Sequence, residues 1–210
     1  MMDECKVYII DDSTEVRQAI KLLMLSVGLN VVEFESADDF LKQDKDIAKL
    51  EGCILLDVRM PGMSGLALLE HLQLIKCAPP VIMISGHGDI PMAVSAVQSG
   101  AINFIEKPFN EQELLDNVHR AFKLDSIKRG KNMKIQAIKK RLDSLTSREK
   151  EVLYAVTEGQ RNKVIAVSLN ISQSTVEAHR ARVMEKMEAQ SLSELMRMII
   201  YIENLDDEVE

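Results

Sequence analysis

The chain has 210 residues, of which 46% are hydrophobic and 28% charged, and its formal net charge is −7. These fractions exclude a disordered protein, and no apolar run approaches the roughly 18 residues that a membrane span requires. The N-terminus reads MMDECK, without the positive charge and apolar stretch of a secretory signal. We therefore expect one or two folded domains that have no membrane partner and stay in the cytoplasm.

Charge is distributed unevenly along the chain. Residues 1–119 carry 9 basic and 19 acidic side chains, whereas residues 120–141 carry 9 basic and 1 acidic. Residues 142–210 carry 8 basic and 13 acidic side chains, and five of these acids follow Ile202. The pattern predicts an acidic domain, a basic connector and a neutral domain with an acidic tail. We expect them at residues 1–123, 124–142 and 143–210.

The first domain alternates between short apolar runs and helical patterns. Runs rich in β-branched residues predict five strands, at 7–10, 31–34, 53–56, 81–84 and 103–105. Helical patterns lie between and after them, at about 14–27, 37–43, 65–75, 91–98 and 111–123. Strands that are apolar throughout must be covered on both faces. The fold class is therefore α/β, with a doubly wound five-stranded parallel sheet whose ligands bind beyond the carboxyl ends of the strands.

Polar residues stand where these strands end. They are Asp11-Asp12, Asp57, Ser85 and Lys107-Pro108. Converging carboxylates repel one another unless a cation neutralises them, and an oxygen-rich cluster suits Mg²⁺. With positive charge nearby, Asp57 can attack a phosphoryl group and Ser85 can donate a hydrogen bond to a phosphoryl oxygen. The alternative is that these residues are polar only because strand ends face water, which we disfavour for so many consecutive strands.

These residues lie in four motifs that closely resemble the receiver domain of bacterial two-component response regulators. The motifs are Asp11-Asp12, DVRMPG at 57–62, SGHGD at 85–89 and FIEKPF at 104–109, and the resemblance covers about residues 4–125. It implies the strand order 2-1-3-4-5 and a cis bond between Lys107 and Pro108.

The resemblance also implies a role for each residue of the site. Asp57 is the phosphoacceptor, and Lys107 pairs with the phosphoryl group or with Asp57. Mg²⁺ is held by Asp12, Asp57 and the backbone carbonyl of Arg59, with Asp11 assisting through water. Ser85 and Phe104 act as the switch hydroxyl and the switch aromatic, where many receivers have Thr and Tyr.

The connector is predicted to be an exposed helix rather than a flexible coil. Apolar residues recur at alternating spacings of three and four, namely Ile135, Ile138, Leu142 and Leu145. Lys128 and Lys131 would occupy the preceding seam positions, so the pattern does not establish an extended coiled coil, and dimerisation through this helix stays open. Gly130 is the expected weak point of the helix. The basic charge suits contact with DNA or with the acidic domain, but we favour a solvated linker.

The second domain is helical throughout. Thr146-Ser-Arg-Glu149 is a capping box that predicts a helix start. A short helix is expected from Arg161 to Asn170, and a longer one from the cap Ser172 to about Met187. The longer helix places one apolar stripe, Val176, Val183 and Met187, opposite a face of small and polar residues, Ser174, Ala178, Ala181 and Glu185.

Three motifs of this domain resemble the LuxR-type helix-turn-helix. They are LTSREKEVL at 145–153, NKVIA at 162–166 and SxxTVEAHR at 172–180, and the match covers about residues 143–202. Together with the receiver motifs they resemble the NarL/FixJ class of response regulators. By that resemblance the 172–187 helix enters the major groove.

The same resemblance suggests which side chains touch DNA. Glu177, Ala178 and Ala181 fall where members of the family read bases, beside the small residue Ser174. Candidates for phosphate contacts are Lys163, Thr175, Arg180 and Arg182. Because a carboxylate suits cytosine N4 but is repelled by phosphate, a salt bridge from Glu177 to Arg180 or Arg182 is an equal alternative.

We interpret the sequence as a phosphorylation-dependent transcriptional regulator, not a turnover enzyme. It accepts a phosphoryl group on Asp57 from a sensor histidine kinase, dimerises and binds promoter DNA, as an activator that engages RNA polymerase. The alternatives are a regulator independent of phosphorylation and an adaptor whose helical domain binds protein. A dehalogenase-type phosphatase is disfavoured because it needs a second Asp where Arg59 stands.

Overall fold

A computed structural model describes residues 5–43, 46–75, 77–86 and 90–206. Residues 87–89 of the SGHGD motif and residues 207–210 of the acidic tail lie outside the described part. The chain forms two compact units, Met1–Gly130 and Lys131–Glu210. Among the described residues, none of the helices combines the length and the apolar character of a membrane span.

The first unit is a five-stranded parallel sheet with the order β2-β1-β3-β4-β5, which confirms the predicted fold and strand order. The strands are β1 (Lys6–Ile10), β2 (Asn30–Phe34), β3 (Gly52–Asp57), β4 (Val81–Ser85) and β5 (Asn103–Glu106). The helices are α1 (Thr14–Ser26), α2 (Ala37–Gln43), α3 (Gly65–Gln73), α4 (Ile90–Gln98) and α5 (Glu111–Asp143), and a single 3₁₀ turn covers Ile47–Lys49. The implied cis bond between Lys107 and Pro108 is present.

The apolar strands explain why the sheet is covered on both faces. Every residue of β3 and β4 is buried. Alternate residues of β3 enter two different core clusters: Ile54 and Leu56 pack on one face, Cys53 and Leu55 on the other. Helices therefore have to lie on both faces, and the loops that carry polar residues collect at the edge where the strands end.

Helix α5 does not end near residue 123, as the sequence patterns suggested, but continues to Asp143 through Gly130. A buried ion pair lies on this extension. Asp125, which is 1% exposed, accepts hydrogen bonds from the Gly52 N–H at 2.9 Å and from Arg129 Nε at 2.8 Å. The Arg129 guanidinium also donates to three backbone carbonyls that precede β3 and β4, those of Ala48, Leu50 and Cys77.

We call Asp125, Arg129 and these backbone groups the Arg129 cluster. It attaches the helix extension to the end of the sheet where β3 and β4 begin. Asp125 and Arg129, which the charge pattern placed at the start of a solvated linker, are therefore buried and partly buried partners of the first unit, while Ser126 and Lys128 are exposed.

In the second unit, the described residues form the end of α5 and four further helices. They are α6 (Ser147–Thr157), α7 (Asn162–Leu169), α8 (Gln173–Lys186) and α9 (Leu192–Asp206). The capping box of Thr146 and Glu149 and the cap at Ser172 are present as predicted. Between α7 and α8, Asn170 adopts a left-handed conformation with φ of 53°, which an Asn tolerates better than most residues.

A buried carboxylate joins the start of α6 to the end of α8. Glu149 is 2% exposed, and its Oε2 accepts hydrogen bonds from the Thr146 N–H at 2.8 Å and from Lys186 Nζ at 2.7 Å. The hydrogen bond from Lys186, with the one from the Thr146 backbone, lowers the pKa of Glu149 to about 2. These bonds hold α8 against α6, so that the opposite face of α8 remains at the surface.

Candidate functional site

The carboxyl ends of β1, β3 and β5 meet around one ammonium group. Lys107 Nζ lies 2.6 Å from Asp11 Oδ2 and 2.6 Å from Asp57 Oδ1. Asp57 is the last residue of β3, and Asp11 and Lys107 directly follow β1 and β5. Both carboxylates are buried, Asp11 at 2% and Asp57 at 6% exposure. We call Asp11, Asp57 and Lys107 the acidic pocket.

Backbone groups orient the two buried carboxylates. Asp57 Oδ2 accepts a hydrogen bond from the Arg59 N–H at 2.7 Å. Asp11 Oδ1 accepts one from the Ser13 N–H at 2.9 Å, because the chain turns there into the cap of α1. Each carboxylate thus has one oxygen fixed by backbone and one bonded to Lys107, which orients both side chains before any ligand binds.

Burial changes the acid–base properties of the acidic pocket. Removal from water raises the pKa of Asp57 above its ordinary value, although the hydrogen bonds from Lys107 and the Arg59 N–H act in the opposite direction. Burial alone would lower the pKa of Lys107, but its hydrogen bonds to Asp11 and Asp57 outweigh that effect and raise it. Lys107 therefore stays charged at neutral pH beside a carboxylate that water shields poorly.

The remaining predicted residues lie around this pocket with different exposure. Ser85, at the end of β4, is buried, and Phe104 in β5 is partly buried against the core. The side chains of Asp12 and Arg59 are exposed. Within the part of the chain that the structure describes, no three His, Cys, Asp or Glu side chains form a group arranged to hold a metal ion. Asp11 and Asp57 both bond to Lys107.

Two residues of the site were not identified from the sequence. Arg17 Nη1 donates to the Asp11 carbonyl at 2.6 Å and so fixes the turn that carries Asp11 and Asp12. Gly65 begins α3, where a Cβ atom would lie 1.9 Å from the Asp57 carbonyl oxygen. Glycine has no capping role at the first position of a helix. Its presence there was the signal from which this close approach of the backbone could have been predicted.

In the second unit, α8 presents the predicted faces. Val176, Val183 and Met187 are buried in the core, as expected. The face of small and polar residues, Ser174, Ala178, Ala181 and Glu185, is exposed, and so is Glu177. Lys163 on α7 and Arg182 on α8 are also exposed, while Thr175 and Arg180 are partly buried.

Hydrogen bonds already engage several of these polar side chains. The hydroxyls of Ser174 and Thr175 lie 2.7 Å and 2.8 Å from Ser172 Oγ, at the start of α8. Among the described contacts, Glu177 accepts a hydrogen bond from Asn162 of α7 and forms no salt bridge with Arg180 or Arg182. Arg180 donates to the same Asn162.

Comparison with known proteins assigns a family to each unit. Residues 7–119 match the family model of the response regulator receiver domain, and residues 143–199 match that of the bacterial regulatory proteins of the luxR family. The response regulator protein TodT of Pseudomonas putida is 43% identical over 204 residues, which cover 97% of this chain and 88% of TodT. The transcriptional regulatory protein FixJ of Rhizobium meliloti is 41% identical, with 95% and 97% covered.

Solved structures give the same relationship. The response regulator StyR matches with a TM-score of 0.84 and 38% identity over 93% of this chain and 98% of that chain. Full-length FixJ from B. japonicum matches with a TM-score of 0.57 and 36% identity over 95% and 97% of the two chains. The similarity therefore extends across both units.

Proposed function

The chain belongs to the NarL/FixJ class of response regulators, which join a receiver domain to a LuxR-type helix-turn-helix, and we propose that phosphorylation of Asp57 controls its binding to promoter DNA. The observation that carries the proposal is the position of Lys107 Nζ, 2.6 Å from both Asp57 and Asp11. Lys107 orients the buried Asp57 carboxylate and can compensate the charge of a phosphoryl group. In a family of transcriptional regulators, this arrangement is suited to accept such a group.

In the proposed reaction, a carboxylate oxygen of Asp57 attacks the phosphorus of a phosphohistidine on the sensor kinase. The P–N bond breaks, the imidazole leaves, and an acyl phosphate forms on Asp57. Lys107 stays within reach of the new phosphoryl oxygens and compensates their charge. The raised pKa of Asp57 makes its carboxylate a better nucleophile than an exposed one. The chain is a stoichiometric acceptor in this scheme.

The donor set around Asp57 fits Mg²⁺. All candidate ligands are hard oxygens: the carboxylates of Asp12 and Asp57, the backbone carbonyl of Arg59, and Asp11 through water. We propose that these residues would hold the ion. When bound, Mg²⁺ offsets the negative charge of the transferring phosphoryl group.

The phosphoryl group is proposed to change the domain through Ser85 and Phe104. Ser85 is buried at the end of β4, and Phe104 lies on the adjacent β5. In the proposed switch the Ser85 hydroxyl moves toward the phosphoryl group and the Phe104 ring changes position with it. The exposed apolar side chains of α4, Ile90, Val94 and Val97, are the proposed surface for a phosphorylation-dependent dimer. Phosphorylation then acts by stabilising the active population.

The output of the proposed switch is promoter binding by α8. Ala178 and Ala181 are small enough to let the helix approach base edges, and the exposed Arg182 and Lys163 can reach phosphates. Activation of transcription through RNA polymerase is the regulatory outcome that we propose. DNA and the polymerase as partners imply action in the cytoplasm.

The acceptor chemistry is tested by intact mass after incubation with Mg²⁺ and a small phosphodonor such as acetyl phosphate. We expect one phosphoryl adduct in the unaltered chain, none in Asp57→Asn, and an unchanged adduct in the control Asp143→Asn, whose side chain is exposed on α5. An adduct that survives Asp57→Asn would refute Asp57 as the acceptor. Its absence from folded, unaltered protein would favour regulation without phosphorylation.

The output is tested by fluorescence anisotropy with DNA duplexes at several salt concentrations. Phosphorylated protein should bind a preferred duplex more tightly than unphosphorylated protein does. Arg182→Ala should weaken binding similarly for all sequences and reduce the slope of log affinity against log salt by about one. An unchanged slope would remove Arg182 from the phosphate contacts, and equal affinities of the two forms would contradict phosphorylation control.

A further inference from the structure

The side-chain amide of Asn162 lies between an acidic and a basic side chain of α8. Arg180 Nη1 donates to Asn162 Oδ1 at 2.5 Å, and Asn162 Nδ2 donates to Glu177 Oε1 at 3.4 Å. The two ends of the amide match the two charges, since its oxygen can only accept and its nitrogen can only donate. Asn162 thereby orients Glu177 and Arg180 at once.

This bridge connects two different helices. Asn162 is the first residue of α7, and Glu177 and Arg180 lie one turn apart on the exposed side of α8. Residues three apart on a helix are close enough for a direct ion pair. Among the described residues Glu177 and Arg180 form none, and each bonds to the amide instead.

The bridge has opposite consequences for the two charged residues. Arg180 is drawn toward α7 and is partly buried, which leaves it poorly placed to reach a phosphate. Glu177 stays exposed beside Ala178 and Ala181, and its Oε1 accepts the hydrogen bond from Asn162 at 3.4 Å, which tethers the carboxylate to α7. A tethered carboxylate loses less side-chain entropy when it accepts a hydrogen bond from a base.

We propose that Asn162 is a positioning residue for sequence reading, which holds Glu177 as an acceptor for the exocyclic amino group of a cytosine. Arg180 acts through Asn162, by fixing the amide and compensating the charge of Glu177, rather than by contacting phosphate. This inference rests on the proposed binding of DNA by α8. It assigns a role in DNA recognition to a residue of α7, the helix that packs against α8.

The test is selection of duplexes from a randomised library by the full-length phosphorylated chain, followed by affinity measurements on the selected site and its single-base variants. We expect the unaltered protein to prefer cytosine at one position. In Glu177→Gln, the ratio of the affinities for cytosine and for the other bases at that position should fall roughly tenfold. Asn162→Ala should lose the same preference at the same position. The slope of affinity against salt should not change, because no phosphate contact is removed.

Two further variants separate positioning from a merely structural role. Asn162→Ala combined with Glu177→Gln should discriminate no worse than Glu177→Gln alone, because both changes remove one interaction. Ser168→Ala, an exposed substitution on the same helix, is the matched control and should leave selectivity unchanged. Melting temperatures of all variants would show whether the fold is retained.

Three results would overturn the inference. Unchanged selectivity in Asn162→Ala would show that the amide positions nothing, and additive losses in the double variant would show that it does not act through Glu177. A reduced salt slope in Asn162→Ala would reassign Arg180 to a phosphate. Failure of the unaltered protein to select any duplex would instead refute the proposed function, and the inference with it.

Discussion

Replacing Arg129 with Met is expected to destabilise the first unit by about 3–5 kcal/mol. The guanidinium makes four hydrogen bonds, and the side chains of Arg129 and Asp125 are 15% and 2% exposed. Methionine would fill much of the same space but would leave the Asp125 carboxylate buried with only the Gly52 N–H as a partner. Breaking a buried ion pair by removing one partner costs this amount because the remaining charge is uncompensated.

The assay is urea unfolding of the full chain, followed by circular dichroism and by hydrogen exchange of the Gly52 amide. Because the chain has two units, a single unfolding curve does not assign the loss, whereas exchange of Gly52 reports the first unit alone. For a urea dependence of about 2 kcal/mol per molar, the midpoint should fall by about 2 M. Arg120→Met, an exposed change on the same helix, is the control and should have little effect.

A second variant tests the reason for the loss. Adding Asp125→Asn to Arg129→Met removes the buried charge and keeps an acceptor for the Gly52 N–H, so it should recover part of the stability. A loss below about 1 kcal/mol in the single variant would refute the reasoning. So would a double variant no more stable than the single one, since the buried charge would then not be the cause.

Three further predictions concern other parts of the chain. The pKa of Glu149 is depressed from 4.5 to about 2 by its bonds to Lys186 and the Thr146 N–H, so the stability it provides is present above pH 4.5 and is lost as the pH falls through 2. Glu149→Gln should therefore melt lower than the unaltered chain at pH 7, and the difference in melting temperature should shrink steadily as the pH falls from 4.5 toward 2. A difference that stays constant with pH would contradict this. Gly65→Ala should lower the free energy of unfolding in urea by at least about 2 kcal/mol and slow adduct formation at Asp57, because the added Cβ meets the Asp57 carbonyl oxygen. An unchanged free energy of unfolding and an unchanged rate of adduct formation would contradict this. A Cβ added at Gly130, in the interior of α5, would meet nothing within 4 Å. Gly130→Ala should therefore raise the free energy of unfolding by about 0.5–1 kcal/mol, and a lower melting temperature would count against an ordered helix at this position.

The sheet and the acidic pocket could be predicted because their signals are local. Apolar runs identify buried parallel strands, and the topology of such strands brings Asp11, Asp57 and Lys107 to one edge although 96 residues separate the first from the last. Each residue is recognisable by its position directly at a strand end. The helix caps at Ser13, Thr146 and Ser172 are local signals of the same kind.

The features that were missed depend on partners distant in the sequence. Charge counting treated Arg129 as part of a solvated connector, but its partners belong to loops about 50 to 80 residues earlier. The contacts of Asn162 were missed because its partners, Glu177 and Arg180, lie on the following helix, and their pairing depends on how the two helices pack. Composition and periodicity carry no information about such contacts.

The Arg129 cluster also determines where this protein can be recombined. A chimera that joins the first unit to a foreign output module after residue 123 would discard Asp125 and Arg129, and it would expose the backbone carbonyls that Arg129 caps. A junction placed after Gly130 keeps the cluster whole and coincides with the division between the two units. The interchangeable part of the chain therefore begins inside a continuous helix. A grafted module should begin with a helical segment that continues α5 without changing the helical register.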